Sequence, residues 1–142
     1  MTPDGQLLAT SPAALLFLAF DFGLRRVGVA SGNSLTRRAT PLRTVLELGE
    51  RRFDAIASLI GEWQPDALVV GVPYHPDGAA HENTARAQRF ARQLKGRFGL
   101  AVHEVDERYS TTQARAAGAK DLDAASAAII LEQYLNQFEA TS

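Results

Sequence analysis

Cysteine is absent from the 142 residues of this chain. Disulfide bonds and thiolate metal sites are therefore excluded, and any bound metal must be held by oxygen or imidazole ligands. The lack of cysteine fits a reducing compartment, and we expect a cytoplasmic protein. A long apolar run is also missing, because Asp21 ends the stretch from Ala13 to Phe20 before it could span a bilayer. We expect no association with a membrane.

An excess of charge of one sign is lacking as well, since 15 basic and 16 acidic residues leave a formal net charge of −1. A protein that binds nucleic acid by bulk charge would usually be more basic, so such binding would depend on the local distribution of charge. Apolar residues make up 46% of the chain, which is typical of a folded domain. The length suits one domain, which we expect over residues 15–138 between flexible tails at 1–14 and 139–142.

The order of the apolar patterns predicts an α/β fold. Strands are predicted at Leu15–Phe20, Val27–Ser31, Ala39–Leu46, Ala67–Val72 and Leu100–Val105. Helices are predicted at Glu50–Trp63, Glu82–Phe98, Thr111–Ala117 and Asp123–Phe138. Three consecutive strands favour an antiparallel meander, and the later strands return through helical crossovers. We therefore expect a mixed five-stranded sheet with helices on both faces, in which ligands gather at strand ends.

Three acidic residues stand at the ends of predicted elements: Asp21 in the first strand, Glu107 after the fifth, and Asp123 at the start of the last helix. An ionised carboxylate is costly to bury unless a positive group holds it. Converging carboxylates suit a hard divalent cation such as Mg²⁺. Two such ions, about 3.5–4 Å apart, can activate a water and stabilise the leaving oxygen of a phosphodiester.

Each of these acids also has an ordinary structural explanation. Asp21 could cap the turn at Gly23, since Asp before Gly is common in turns. Asp123 could be the N-cap or a first-turn acid of the last helix. Glu107 could form a surface ion pair with its neighbour Arg108. The functional interpretation therefore depends on the three carboxylates meeting in space, which their spacing alone does not establish.

Basic residues beside these acids are candidates for contacts with a phosphate. Arg25 and Arg26 follow Asp21 closely, and Arg108 follows Glu107 directly. Each guanidinium could bind a phosphate oxygen or pair with a neighbouring carboxylate.

The predicted helix Glu82–Phe98 is rich in basic residues and has no acidic residue after Arg86. The basic residues are Arg86, Arg89, Arg92, Lys95 and Arg97. They form either an ordinary solvated face or a positive surface for a nucleic-acid backbone, to which Arg89 and Arg92 would contribute. His75, in the loop after the fourth strand, is expected to be a solvated histidine rather than a ligand.

Four short motifs lie in order along the chain. They are Asp21 to Ala30, Val69 to Pro73 with Asp77-Gly78, Asp106 to Thr111, and Asp123 to Leu131. Together they resemble the YqgF/RuvX family of Holliday junction resolvase-like proteins, also described as nucleases that mature the 5′ end of the pre-16S ribosomal RNA. The resemblance implies the ribonuclease H-like fold of RuvC-type resolvases and a nuclease dependent on Mg²⁺ or Mn²⁺. It assigns the metal-ligand and catalytic roles to Asp21, Glu107 and Asp123. It also favours a phosphate contact for Arg26, which matches a charged or polar position of the family beside the acid.

The resemblance also implies a partner, which is structured nucleic acid. Precursor rRNA, on ribosomal particles or free, is the expected substrate, and a branched DNA junction cut by a dimer is the alternative. The chain could be a monomer or a homodimer. A non-catalytic protein that binds nucleic acid or ribosomes remains a second interpretation. The first hairpin also resembles the phosphate loop of the actin and sugar-kinase class, which normally closes two such domains over ATP.

Two features depart from the pattern of these families. RuvC-type resolvases have an acid on the fourth strand, whereas Val69 to Val72 has none, so Glu107 must take its place from the fifth strand. The segment between Thr112 and Asp123 is shorter than is usual in the family, retains Lys120 and lacks a long glycine-rich loop.

Overall fold

A computed structural model describes residues 14–107 and 121–137, and in them it has five strands and three helices. The strands are β1 (Leu16–Asp21), β2 (Val27–Asn33), β3 (Ala39–Val45), β4 (Ala67–Val72) and β5 (Ala101–Asp106). The helices are α1 (Glu50–Trp63), α2 (Thr84–Phe98) and α3 (Leu122–Gln137). The predicted helix Thr111–Ala117, Arg108, Lys120 and most of the two predicted tails lie outside the described residues.

The strands form one mixed sheet in the order β3-β2-β1-β4-β5. β1 pairs antiparallel with β2, which pairs antiparallel with β3. β1 pairs in parallel with β4, and β4 with β5. The predicted antiparallel meander followed by helical crossovers is therefore confirmed. Because β1, β4 and β5 run in the same direction, their carboxyl ends lie at one edge of the sheet.

Alternate residues of the central strand β1 face opposite sides of the sheet. Leu18 and Phe20 pack with residues of α1 and α2, whereas Phe17 and Ala19 pack with residues of α3. Helices therefore cover both faces, as predicted. Asp21 continues the second series, so its side chain lies on the α3 face of the sheet.

Small side chains let α3 approach the sheet closely. Ala127 and Ala128 pack against Ala30 of β2. A Cβ atom added to Gly28 would lie 1.8 Å from the backbone oxygen of Asp123. Gly28 therefore has to be glycine for the first turn of α3 to rest on β2 next to the end of β1.

The predicted boundaries of most elements are within two residues of the observed ones. α2 begins at Thr84 rather than at Glu82, because the Thr84 hydroxyl donates a hydrogen bond to the Pro73 backbone oxygen and accepts one from the His81 N–H. These bonds join the start of α2 to the end of β4. None of the helices in the described ranges has the length and apolar character needed to cross a bilayer.

Candidate active site

Asp21 ends β1 between two glycines. The register pairs it with Gly28 of β2 and with Gly71 of β4. Paired residues of adjacent strands project their side chains from the same face of the sheet, so two glycines leave space on both sides of the Asp21 carboxyl. The N-terminal turn of α3 covers Gly28, and the Glu107 carboxyl lies over Gly71, where an added Cβ would be 3.2 Å from Glu107 Cδ.

Glu107 reaches this space from the end of β5. Its backbone N–H donates a hydrogen bond to the Val72 oxygen, with an N···O distance of 3.2 Å. Its side chain is buried, with 9% of the residue exposed, and is hydrogen-bonded to the carboxyl of Asp21. Two carboxyl groups can form such a bond only when one of them is protonated, so this contact favours the neutral form of Asp21.

The surroundings of Asp21 strongly favour its neutral form. Burial raises the pKa of the Asp21 carboxyl well above its ordinary value, and the charge and hydrogen bond of Glu107 raise it further, followed by the charge of Asp123. Desolvation and like charges both disfavour a carboxylate, and a cation among the three groups would reverse this effect. The structure thus brings Asp21, Glu107 and Asp123 close enough to interact electrostatically.

Asp123 is a first-turn residue of α3 but not its N-cap. Asp121 caps the helix, because its Oδ1 accepts a hydrogen bond of 3.1 Å from the Ala124 N–H. The same oxygen accepts a bond of 2.6 Å from the Thr44 hydroxyl of β3. The interpretation of Asp123 as the capping residue is therefore wrong, and its carboxylate is available to the site.

Arg26 forms an ion pair with Asp123 at the rim of the site. Its Nη1 lies 3.5 Å from Asp123 Oδ2, and 62% of the Arg26 side chain is exposed. Exposed pairs of this kind contribute little stability, so the guanidinium can leave the carboxylate at small cost. A cavity of about 430 Å³ opens beside the pair and is lined by Arg26, Thr44, Leu46, Asp121, Leu122 and Asp123. Arg25 is exposed on the preceding turn.

The three acids offer only carboxylate oxygens, which are ligands suited to Mg²⁺ and Mn²⁺. In the part of the chain that the structure describes, no three histidine, aspartate or glutamate side chains are already grouped so that they could hold a metal ion. The carboxyls of Asp21 and Glu107 are bonded to each other, and Asp123 is paired with Arg26. Ionised carboxylates are the ligands that a divalent cation prefers, so the chemistry of this donor set fits such an ion once Asp21 is deprotonated.

Arg52 of α1 supports the site and was missed by sequence reasoning. It is buried, with 7% of the residue exposed. Its Nε donates to the Glu47 oxygen at 3.3 Å and its Nη2 to the Leu24 oxygen at 3.0 Å. These bonds tie the turn after Asp21 to the segment before α1. Its burial could have been inferred from the sequence only through its position four residues before Ile56, which places it on the apolar stripe of the helix.

The basic residues of α2 do not form one surface. Arg86 and Arg89 line a cavity beside α1, whereas Arg92 and Lys95 line another beside β5. Arg97 pairs with Glu50 of α1, with 2.7 Å between Nη2 and Oε2. Arg89 and Arg92 therefore lie on two flanks of the buried stripe of α2.

The ring of His75 lies 5.0 Å from that of His81, measured between ring centroids, in the loop between β4 and α2. The described residues show no acidic group with which these two histidines could hold a metal ion. Neither histidine is placed in the carboxylate site by the contacts that the structure shows.

Comparison with known sequences gives a consistent result. A family model described as "RuvX: Holliday junction resolvase" matches residues 15–137. A protein of Polaromonas sp. (strain JS666) is 70% identical over 119 residues, covering 84% of this chain and 86% of the relative. A protein of Albidiferax ferrireducens is 66% identical, covering 84% of this chain and 76% of the relative. A protein of Paraburkholderia phytofirmans is 60% identical, covering 84% of this chain and 86% of the relative. All three bear the name "Putative pre-16S rRNA nuclease".

Two solved structures share the fold. Thermus thermophilus RuvC in complex with a Holliday junction substrate gives a TM-score of 0.54 at 16% identity, over 87% of this chain and 94% of that chain. A second structure of T. thermophilus RuvC gives a TM-score of 0.51 at 14% identity, over 87% of this chain and 95% of that chain. The expected ribonuclease H-like fold is confirmed.

Proposed function

The chain belongs to the RuvX family of nucleases, and we propose that it hydrolyses phosphodiester bonds of structured RNA with Mg²⁺ or Mn²⁺ ions held by Asp21, Glu107 and Asp123. The 5′ end of precursor 16S rRNA, free or on a ribosomal particle, is the proposed substrate, because the curated relatives bear that name. The chain's nearly neutral net charge is compatible with this role, since Arg25 and Arg26 follow Asp21 closely and Arg86 and Arg89 lie together on one flank of α2.

The observation that supports the proposal is the hydrogen-bonded pair of Asp21 and Glu107, with Asp123 close enough to raise the pKa of Asp21. An arrangement of three acids at the end of a central strand costs folding free energy when no cation is bound. Asp21 bonds to Glu107 rather than to the turn at Gly23, and Asp121 rather than Asp123 caps α3. Asp123 is a first-turn acid of α3 that also pairs with Arg26. These contacts support a ligand role for the three carboxylates.

The chain's own groups have distinct tasks in the proposed reaction. Two bound divalent ions would activate the attacking water and stabilise the leaving oxygen. Asp21 must first lose its proton to become a ligand. Glu107, fixed by its backbone bond to Val72, presents its carboxyl over Gly71. Arg26 would leave Asp123 and bind a phosphate oxygen of the strand, a role supported by its exposed ion pair and by the adjoining cavity.

A Holliday junction is the second candidate substrate, and the description of the matching family favours it. Resolution of a junction needs two cuts and therefore two copies of the site. RNA processing needs only one. The substrate and the oligomeric state are thus linked, and one experiment addresses both.

We expect the protein to cleave labelled precursor 16S rRNA near its 5′ end with Mg²⁺ or Mn²⁺ and not with a chelator. A four-way DNA junction, assayed side by side under the same conditions, should remain intact. Preferential cleavage of the junction by a dimeric form of the protein would show that the Holliday junction, rather than precursor rRNA, is the substrate. If neither nucleic acid is cleaved with either metal, the proposed function is wrong.

A further inference from the structure

A second cavity lies on the other side of the turn that follows Asp21, between that turn, α1 and α2. Its volume is about 300 Å³, which is at the lower end of the range for sites that bind small ligands. Three arginines and three phenylalanines contribute to its walls: Arg52, Arg86, Arg89, Phe22, Phe53 and Phe90. It is separate from the carboxylate site, which lies on the α3 face of the sheet.

The charge of the cavity is suited to an anion. None of the described residues that line it is acidic. Arg52 is 7% exposed, and the bonds that the structure shows for its guanidinium use two N–H groups, both on backbone oxygens. An arginine has five such donors, and a buried cation is costly unless an anion or further acceptors satisfy it. The remaining donors therefore favour a phosphate or another oxyanion.

The apolar walls are suited to a flat ring. Phe90 is buried, and Phe22 and Phe53 are partly exposed. Their ring centroids lie 5.1 Å and 6.0 Å from that of Phe90. The Arg97 guanidinium covers the Phe53 ring at 3.9 Å from its centroid, whereas the Arg52 guanidinium lies 5.7 Å from the centroid of Phe22, so Phe22 is the ring proposed to contact a base. Aromatic side chains bind nucleobases by stacking, and this contact is tolerant of sequence. A nucleotide carries both a phosphate and a flat base, so it matches the arginine-lined and the phenylalanine-lined parts of the cavity.

We infer that this cavity binds one nucleotide of the substrate strand, with the base against Phe22 and a phosphate at Arg52, Arg86 and Arg89. The inference rests on the proposed function, because it takes the ligand from the strand that is cleaved. Phe22 follows Asp21 directly, so a strand that passes over the turn can reach the carboxylates on one side and this cavity on the other. The cavity would thus hold a nucleotide next to the cleaved bond.

The test compares two double variants of α2 that remove the same charge. Arg86→Ala with Arg89→Ala alters the cavity, and Arg92→Ala with Lys95→Ala alters the other flank of the helix. All four side chains are exposed, so both variants should fold, which circular dichroism and thermal melting will check. Binding of adenosine and guanosine 5′-monophosphate is then measured by NMR titration in EDTA, which prevents metal-mediated binding at the carboxylates.

We expect the wild type to bind the mononucleotides, with shifts in Phe22, and to bind inorganic phosphate or an unphosphorylated nucleoside more weakly. The cavity variant should lose about tenfold or more in affinity, since charged hydrogen bonds to the phosphate are removed. The flank variant should stay within about twofold. No binding by the wild type, or equal losses in the two variants, would overturn the inference.

A second arm distinguishes a nucleotide of the strand from a free nucleotide. Affinity for a single-stranded RNA of the substrate sequence is measured in EDTA for the same proteins. The cavity variant should bind the strand more weakly than the flank variant, and a mononucleotide should compete. Unchanged strand binding by the cavity variant would contradict the inference. A wild type that cleaves with metal but binds no mononucleotide would refute this inference alone, whereas one that binds nucleotide and strand without cleaving would refute only the proposed function.

Discussion

Asp21 is the residue in which the chemistry of the site is most evident. Its carboxyl lies between Gly28 and Gly71, is hydrogen-bonded to Glu107, and has a pKa raised by burial and by two acidic neighbours. In the absence of a cation, the raised pKa means that protonation of Asp21 favours the folded state. The site should therefore exchange a proton for a divalent ion, and both stability and metal binding should depend on pH.

Asp21→Asn should change how stability depends on pH when metal is removed by EDTA. The raised pKa means that the folded wild type binds more protons than the unfolded chain above the ordinary value of 3.8. Its stabilising contribution is complete below that value and is lost as the pH rises through the raised pKa. Urea denaturation over a series of pH values should show that the free energy of unfolding of the wild type falls relative to that of Asp21→Asn as the pH rises from 3.8 through the raised pKa. Parallel curves for the two proteins would contradict the raised pKa.

Some side chains could be assigned from the sequence and others could not, for physical reasons. Asp21, Glu107 and Asp123 could be named as candidates because each follows or opens an apolar segment and the family pattern marks it, and the structure brings them close enough to interact. The exchange of roles between Asp121 and Asp123 was not, because two acids two residues apart can each cap a helix. The Ala124 N–H bond to Asp121 shows which one does, and the Thr44 hydroxyl, distant in sequence, bonds to the same oxygen. The burial of Arg52 likewise depends on a backbone oxygen contributed by Leu24.

At the scale of elements, the position of α3 determines whether Asp123 can join the site. The first turn of the helix rests on β2 at Gly28, and Asp121 fixes its start through the Ala124 N–H and the Thr44 hydroxyl. Both contacts act on the backbone of the helix rather than on the acid itself. Changes at these positions should therefore impair activity without removing a ligand.

Gly28→Ala should destabilise the protein and reduce its activity. The new Cβ would lie within 1.8 Å of the Asp123 backbone oxygen, so α3 would have to shift. Overpacking of this kind costs about 1–3 kcal/mol. Gly61→Ala in α1 is the matched control, because nothing lies within 4 Å of its added Cβ, and it should stabilise by about 0.5–1 kcal/mol. Chemical denaturation measures both. Equal stability of the two variants would show that α3 does not rest on Gly28.

Asp121→Ala should lower the free energy of unfolding by about 1 kcal/mol, since the Ala124 N–H loses its cap. Asp121→Asn or Asp121→Ser should restore most of it, because either side chain can accept the same bond. Cleavage by Asp121→Ala should fall only partly, since the three proposed ligands remain. Complete loss of metal-dependent cleavage in a folded Asp121→Ala protein would indicate that Asp121 is itself a ligand.

The whole molecule places two different environments on either side of one turn. The acidic site lies on the α3 face of the sheet, and the arginine-lined cavity lies on the face covered by α1 and α2. The order of strands and helices, and hence the fold, followed from the apolar pattern and the short connections. The division of the basic residues of α2 between two cavities did not, because it depends on how that helix sits between α1 and β5.

The rate of Mg²⁺-dependent cleavage of precursor 16S rRNA by Asp21→Asn tests the central claim most directly. Asp54→Asn makes the same chemical change at an exposed acid of α1 and is the control. We expect Asp21→Asn to be folded and inactive, because Asn cannot supply the negative oxygen that the ions need, while Asp54→Asn cleaves as the wild type does. Cleavage by Asp21→Asn at the wild-type rate would contradict the assignment of the three carboxylates as the catalytic metal ligands.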